Sequence, residues 1–367
     1  MRTIISLAIK MKIWRIILYF FVSALLAACG KEPDDAPIGH KPIIFSACDA
    51  TVETKGLKPD DASVLLSVGN SAGIFASRKY NDIWESVISN RSLVCTAVTN
   101  LAQPTSPASS TWAYDPVAYW EDAGQYVFTA IFPRSLTLGN GLTLDNSTYD
   151  ISVNYSAGAP TDMMVARVSR TASANPTPVN LSFKHATSAV RFLFGKSSDD
   201  DFKLTSFQVE NVSASGTFSI GARIISDVDL TLSSSDWAYG SPIASLASWT
   251  ADDVEHRKTI TRPTTANNTS YCDEYLAMGW YYMVPQTLPS TARVRFSVSY
   301  NGGAPVETVL SIYNVQDSSS GEYGTTWEPN RVYNYFIILN QSGVNLSVQA
   351  VPWDVVQVTM DNITFEG

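Results

Sequence analysis

Through residues 293–300 the chain alternates without a break. Val294, Phe296, Val298 and Tyr300 fall on one side, and Arg293, Arg295, Ser297 and Ser299 on the other. A period of two residues is the geometry of a strand with one wet face and one buried face, a pattern that a helix cannot present to a core. Asn301-Gly302-Gly303 follows, residues that accept the left-handed backbone of a tight turn, and residues 306–312 read as the returning strand of a hairpin. Similar short apolar runs recur at 125–132, 163–168, 190–194, 204–212, 332–339 and 344–351, separated by Ser, Asn, Gly and Pro clusters. Nowhere does a 3.6-residue apolar period last long enough to specify a helix, although residues 82–88 have room for a turn or two. A parallel α/β sheet needs helical crossovers, so that enzyme architecture is disfavoured. Composition points the same way: 16% of residues are charged against 45% hydrophobic, so Ser, Thr and Asn cover much of the surface, as sheets allow. The expected fold is all-β, as two β-sandwich domains in tandem.

The N-terminus reads as an address. Residues 16–28, IILYFFVSALLAA, form an uncharged apolar run behind Lys10, Lys12 and Arg15, too short to span a bilayer comfortably and of the right length for a signal-peptide core. Leu26-Ala27-Ala28-Cys29 resembles the box cut by bacterial lipoprotein signal peptidase, which would leave Cys29 as an acylated first residue. The alternative is an ordinary secretory signal ending near a cysteine. Several acyl chains on Cys29 would hold the protein at a membrane, since each buried CH₂ contributes about 0.8 kcal/mol and one chain alone is marginal. Behind it, Gly30-Lys31-Glu32-Pro33-Asp34-Asp35 is an acidic tether, either a plain linker or a signal for export to the outer face of the outer membrane. The expected division is a signal peptide at 1–28, a lipid-anchored linker at 29–41, an N-terminal sandwich at 42–175 and a C-terminal sandwich at 176–367. The last boundary is drawn at residues 169–178, SRTASANPTP, which lack any large apolar side chain.

Charge and rare residues exclude several functions. The net charge is -9, and beyond residue 28 the chain carries 21 bases against 34 acids, or -13. That balance leaves no basic footprint for nucleic acid. The three histidines (His40, His185, His256) lie far apart, and Cys29, Cys48, Cys95 and Cys272 show no CxxC, so neither a zinc site nor a thiol redox motif is expected. With Cys29 acylated, Cys48, Cys95 and Cys272 cannot all pair internally.

Four features tempt a chemical reading. Gly69-Asn70-Ser71-Ala72-Gly73 matches GxSxG, but a nucleophile elbow needs a helix next, and Ile74-Phe75-Ala76 is strand-like, so a hairpin turn is expected. Asp199-Asp200-Asp201 offers oxygen ligands without the Gly and Glu spacing of a calcium loop, and reads as a solvated turn. His185 lies between Phe183 and Val190 and reads as a structural histidine. The nine tryptophans, including Trp280 beside Tyr281 and Tyr282, are candidates for a sugar-stacking platform, with core and edge packing as their alternative. No catalytic residue, metal or cofactor is expected.

Segments of the second half, taken in order, resemble one family. They are residues 181–192, LSFKHATSAVRF; residues 283–288, MVPQTL; residues 327–339, WEPNRVYNYFIIL; and residues 348–353, VQAVPW, with Thr54-Lys55-Gly56 and the lipoprotein box upstream. Together they are similar to the fimbrillin family, whose members build the type V pili of anaerobic Gram-negative bacteria. Pro329-Asn330 stands where the family usually has Gly, and both choices support a turn.

The resemblance implies two sandwiches of transthyretin-like type, export as a lipoprotein to the cell surface, and assembly with other pilus subunits by strand exchange. In that scheme Ile43, Ile44 and Phe45 belong to a strand that is displaced after proteolysis at Lys55, or to an ordinary first strand that stays. Val356, Val358 and Met360 head a tail with period-two spacing, either a donor strand or a terminal strand of its own domain. A chain left uncut at Lys55 would act as an anchor or a glycan-binding lipoprotein. A host or bacterial surface ligand is a further partner the resemblance leaves open.

Overall fold

The computed structural model describes residues 41–49, 67–99, 108–145, 148–157, 161–173, 176–221, 230–263, 274–317, 323–340 and 342–352. The expected signal peptide and nearly all of the linker lie outside these residues, as do Cys29, Lys55, Val356, Val358, Met360 and Cys272. Among the described residues the regular structure is β-strand with short 3-10 turns.

The first strands are β1 (Phe45–Asp49), β2 (Ser71–Tyr80), β3 (Ile83–Thr99), β4 (Ala108–Ala113), β5 (Gln125–Phe132), β6 (Leu142–Leu144), β7 (Ile151–Ser156), β8 (Met164–Thr171), β9 (Val179–Ser182) and β10 (Lys184–His185). Asn81 and Asp82, at φ 49° and 60°, close a two-residue turn in which Tyr80 pairs with Ile83. Both residue types tolerate the left-handed region, and the turn commits residues 83–88 to strand rather than to the helical turn the sequence left room for. All of these strands except β6 and β7 join one sheet in the order β10-β8-β5-β2-β3-β4-β1-β9. Its two end strands are separated in sequence by Phe183 alone, so the sheet must roll until its edges meet. Bulges between Ile74 and Ala76 and between Cys95 and Ala97 supply local bending. The roll encloses a core of Ile43, Phe45, Ile74, Leu93, Trp112, Phe128 and Phe183 with their neighbours.

The second half contains β11 (Ser188–Lys196), β12 (Phe202–Glu210), β13 (Ser215–Ile220), β14 (Trp237–Tyr239), β15 (Ala247–Thr250), β16 (Lys258–Thr259), β17 (Leu276–Met283), β18 (Gln286–Thr287), β19 (Arg293–Tyr300), β20 (Val306–Ser311), β21 (Val315–Gln316), β22 (Tyr323–Gly324), β23 (Thr326–Trp327), β24 (Arg331–Asn340) and β25 (Gly343–Pro352). The sheet β17-β11-β24-β25 faces the sheet β15-β12-β19-β20. Phe194 meets Phe296 edge-on at 5.2 Å, and Phe192 meets Phe207 at the same distance. These contacts form the middle of a sandwich, with alternate residues of each strand turned inward. The hairpin β19–β20 forms where Asn301 and Gly302 take positive φ.

The hydrogen bonding does not divide at the expected 175/176 boundary. Val179 and Leu181 of β9, together with Phe183, are fully buried in the first core, so the segment just past the boundary completes the first sheet. Conversely, β6 and β7 leave that sheet and pair with β13 and β14 of the second half. The apolar alternation of Ile151, Val153 and Tyr155 is what carries β7 into the second core. A polar segment free of large apolar residues marked a connection, and the buried strand beyond it decided to which core the chain belonged.

Candidate functional site

The first strand lies inside the roll, not at its rim. β1 pairs antiparallel with β4, Phe45 opposite Trp112, and parallel with β9, Phe45 opposite Val179. Just ahead of it, the Ile43 N–H donates to the Ala118 carbonyl at 2.9 Å, and the Val179 N–H donates to the Ile44 carbonyl at 2.8 Å. Pro42 forms an isolated bridge with Tyr119. Ile43 and Phe45 are 1% and 0% exposed, whereas Ile44 between them is 48% exposed. Strand alternation thus places the two outer residues of the Ile43-Ile44-Phe45 triplet in the core and the middle one in solvent.

Aromatic rings shape the socket that receives Phe45. Tyr114 stands edge-on to it at 5.3 Å and Phe128 at 5.5 Å. Trp120 packs behind, 5.6 Å from Phe128 and 4.7 Å from Tyr126. Burial pushes the Tyr114 hydroxyl up to about 12, so it remains a hydrogen-bond donor across the range in which proteins work. Sequence reading singled out Ile43, Ile44 and Phe45 but passed over Tyr114, Ala118 and β9. The cluster Trp112-Ala113-Tyr114 followed by Tyr119-Trp120 was the available signal.

Taking β1 away would leave a slot between β4 and β9 in which main-chain groups of both neighbours lose their partners and two apolar sockets open to water. Such a slot fits another extended chain with apolar residues two apart. Lys55 follows β1 in the chain and precedes β2, so a cut there would sever β1 from the rest of the fold.

The other singled-out residues have structural partners. Residues 67–70 form a turn and Ser71 opens β2, with strand rather than helix beyond the GxSxG match. The His185 Nδ1 lies 2.6 Å from Asp162 Oδ2, and the Thr187 hydroxyl donates to the other carboxylate oxygen at 2.7 Å. Asp199 pairs with Arg262 at 2.6 Å, Asp200 accepts from the Tyr300 hydroxyl at 2.8 Å, and Asp201 lies 3.6 Å from the Lys203 ammonium. Among the described residues, no three His, Cys, Asp or Glu side chains converge as a metal site requires. One face of Trp280 is taken by the Arg191 guanidinium, 4.1 Å from the ring centroid, and Arg191 is held in turn by Asn334 at 3.1 Å. Cys95 is buried against Ala97 O at 3.8 Å, and burial pushes its thiol up.

A sequence model described as fimbrillin-like matches residues 68–353. Among solved structures, a candidate cell adhesion protein from Bacteroides ovatus matches at TM-score 0.51 and 12% identity, over 87% of this chain and 99% of that one. A second from Bacteroides uniformis matches at TM-score 0.47 and 15% identity, over 85% and 99%. A fimbrial protein from Bacteroides vulgatus matches at TM-score 0.49 and 12% identity, over 85% and 100%. The first of these supports a shared all-β fold. No curated protein matches the sequence.

Proposed function

The chain belongs to the fimbrillin-like family, whose model spans residues 68–353, and from that membership we propose that it is a structural subunit of a cell-surface pilus that assembles by exchanging its first strand. In this reading Cys29 carries the lipid that brings the protein to the outer membrane, and proteolysis after Lys55 releases the lipid and β1 together. A neighbouring subunit then fills the slot between β4 and β9, with the tail that begins at Val356, Val358 and Met360 as the donor. The rolled sheet of the first half and the sandwich of the second act as links of the pilus, with β6 and β7 tied into the second.

The observation that carries the reading is the place of β1. It is a short strand whose main chain is shared between β4 and β9 and whose anchors, Ile43 and Phe45, fill sockets in the core. An incoming strand could recover those backbone pairs and refill the sockets without rearranging the rest of the roll. A lipid-anchored glycan binder is the weaker reading, because the Arg191 guanidinium already lies over the Trp280 ring on which a sugar would stack.

The test compares wild type with Lys55→Ala on live cells. The proposal expects a ladder of high-mass polymer from wild type after mild heating, and its loss, with retention of a membrane-bound form, in the variant. Polymer formed equally by both would reject cleavage at Lys55 as the trigger.

A further inference from the structure

One loop holds both main-chain groups of Ile43. The Ala118 carbonyl accepts its N–H at 2.9 Å, and its own carbonyl accepts from the Tyr114 hydroxyl at 3.2 Å, across 71 residues of sequence. The same hydroxyl accepts the Ala118 N–H at 3.1 Å and lies 3.4 Å from the Ala118 carbonyl, so Tyr114 ties its loop closed at the point where it grips Ile43. From β3, Arg91 donates to the Pro116 carbonyl and braces the loop. Tyr114 is 8% exposed, so the carbonyl it reaches and the N–H it accepts would have little water to replace the hydroxyl.

We propose that Tyr114 and Ala118 form a main-chain clamp that fixes the register of the segment lying between β4 and β9 and retards its departure. They are positioning residues. The clamp takes hold of an N–H and a C=O and reads no side chain, so its occupant must be an extended segment with a residue other than proline at the clamped position. The sockets add two requirements: an aliphatic side chain at that position, where Ile43 is 1% exposed, and a large apolar one two residues later, where Phe45 is 0% exposed. The middle residue is unconstrained, as the half-exposed Ile44 illustrates. As a device for selecting a new strand, the clamp rests on the reading of β1 as displaceable. As a device for retaining β1, it is a property of the uncut chain.

Amide hydrogen exchange on the intact chain tests it. Tyr114→Phe keeps the ring against Phe45 and removes only the hydroxyl, so the amides of Ile43 and Val179 should exchange about five- to tenfold faster, the effect of one buried hydrogen bond. Amides in the middle of the β2–β5 pairing should be unchanged. Tyr155→Phe, which deletes a hydroxyl in the second core, should leave the Ile43 amide as it was. No acceleration at Ile43 and Val179, or an equal acceleration throughout the roll, would overturn the clamp. Should Tyr114→Phe not fold, Arg91→Ala, which removes only the brace on the loop, decides: faster exchange at Ile43 and Val179 with the β2–β5 pairing unchanged supports the clamp, and no change at those two amides contradicts it. Because neither measurement involves cleavage or polymer, a failed clamp leaves strand exchange standing, and a failed Lys55→Ala comparison leaves the clamp standing.

Discussion

Phe45 and Phe128 meet edge to face, their ring centroids 5.5 Å apart and their planes at 80°. Phe128 lies on β5, which is separated from β1 in the sheet by β2, β3 and β4, so the contact crosses the core instead of following the hydrogen bonds. The first strand is therefore fixed to the far wall of the roll. Phe45→Ala should cost about 3–5 kcal/mol in urea unfolding, the range for deleting a buried aromatic ring. Ile44→Ala, at the half-exposed neighbour, should stay within about 0.5 kcal/mol of wild type. Equal effects at the two positions would contradict the alternation.

Acid should weaken the second sandwich through Glu210. Its carboxylate, 7% exposed, accepts from Arg295 at 2.7 Å and also from Arg293, and these hydrogen bonds, led by the one from Arg295, hold its pKa below the usual glutamate value. A depressed carboxylate contributes stability that is present above the unfolded-state pKa and is lost as pH falls through the folded one. Glu210→Gln should thus lower the urea midpoint most above about pH 5, by an amount corresponding to about 1–2 kcal/mol, and the difference should vanish at lower pH. A difference that persists unchanged to pH 2 would exclude this pair as its source.

Gly73→Ala should destabilise by about 1–3 kcal/mol. A Cβ at Gly73 would come within 2.5 Å of Thr137 Oγ1 and 2.9 Å of Asn90 Oδ1. Neither side chain can swing aside freely, because Asn90 Nδ2 donates to the Thr137 carbonyl at 2.7 Å and Arg134 ties both residues together. The second glycine of the GxSxG match thus serves close packing against the 3-10 turn Arg134–Thr137. Ser71→Ala should be nearly neutral by the same unfolding measurement, and a large loss there would overturn this reading.

Much of the fold was legible where one face is wet. Arg293–Tyr300 is a strand with the limits its alternation predicts, and Asn301-Gly302 turns it back as a hairpin. Residues 125–132 were also found, although β5 is buried on both faces and reads as a continuous apolar run. The start of β2–β3 was harder, since Asn81 and Asp82 reveal a turn only through their left-handed backbone, which many sequences with polar pairs do not adopt. The split between cores was not legible at all: it depends on β7 pairing with β13, more than fifty residues on, and on β9 closing the roll, and local composition carries no trace of either. At the candidate site, apolar character singled out Ile43, Ile44 and Phe45 as a set and gave no sign that Ile44 would face solvent. The clamp did not, because Tyr114 and Ala118 act through main-chain hydrogen bonds that leave no side-chain pattern.

The most direct test of strand exchange is the N-terminal mass of subunits taken from intact surface polymer. The account predicts chains that begin at Gly56, without lipid and without Ile43, Ile44 and Phe45. Polymer whose subunits all begin at acylated Cys29 would contradict it, because β1 would then still occupy the slot that a neighbour must fill.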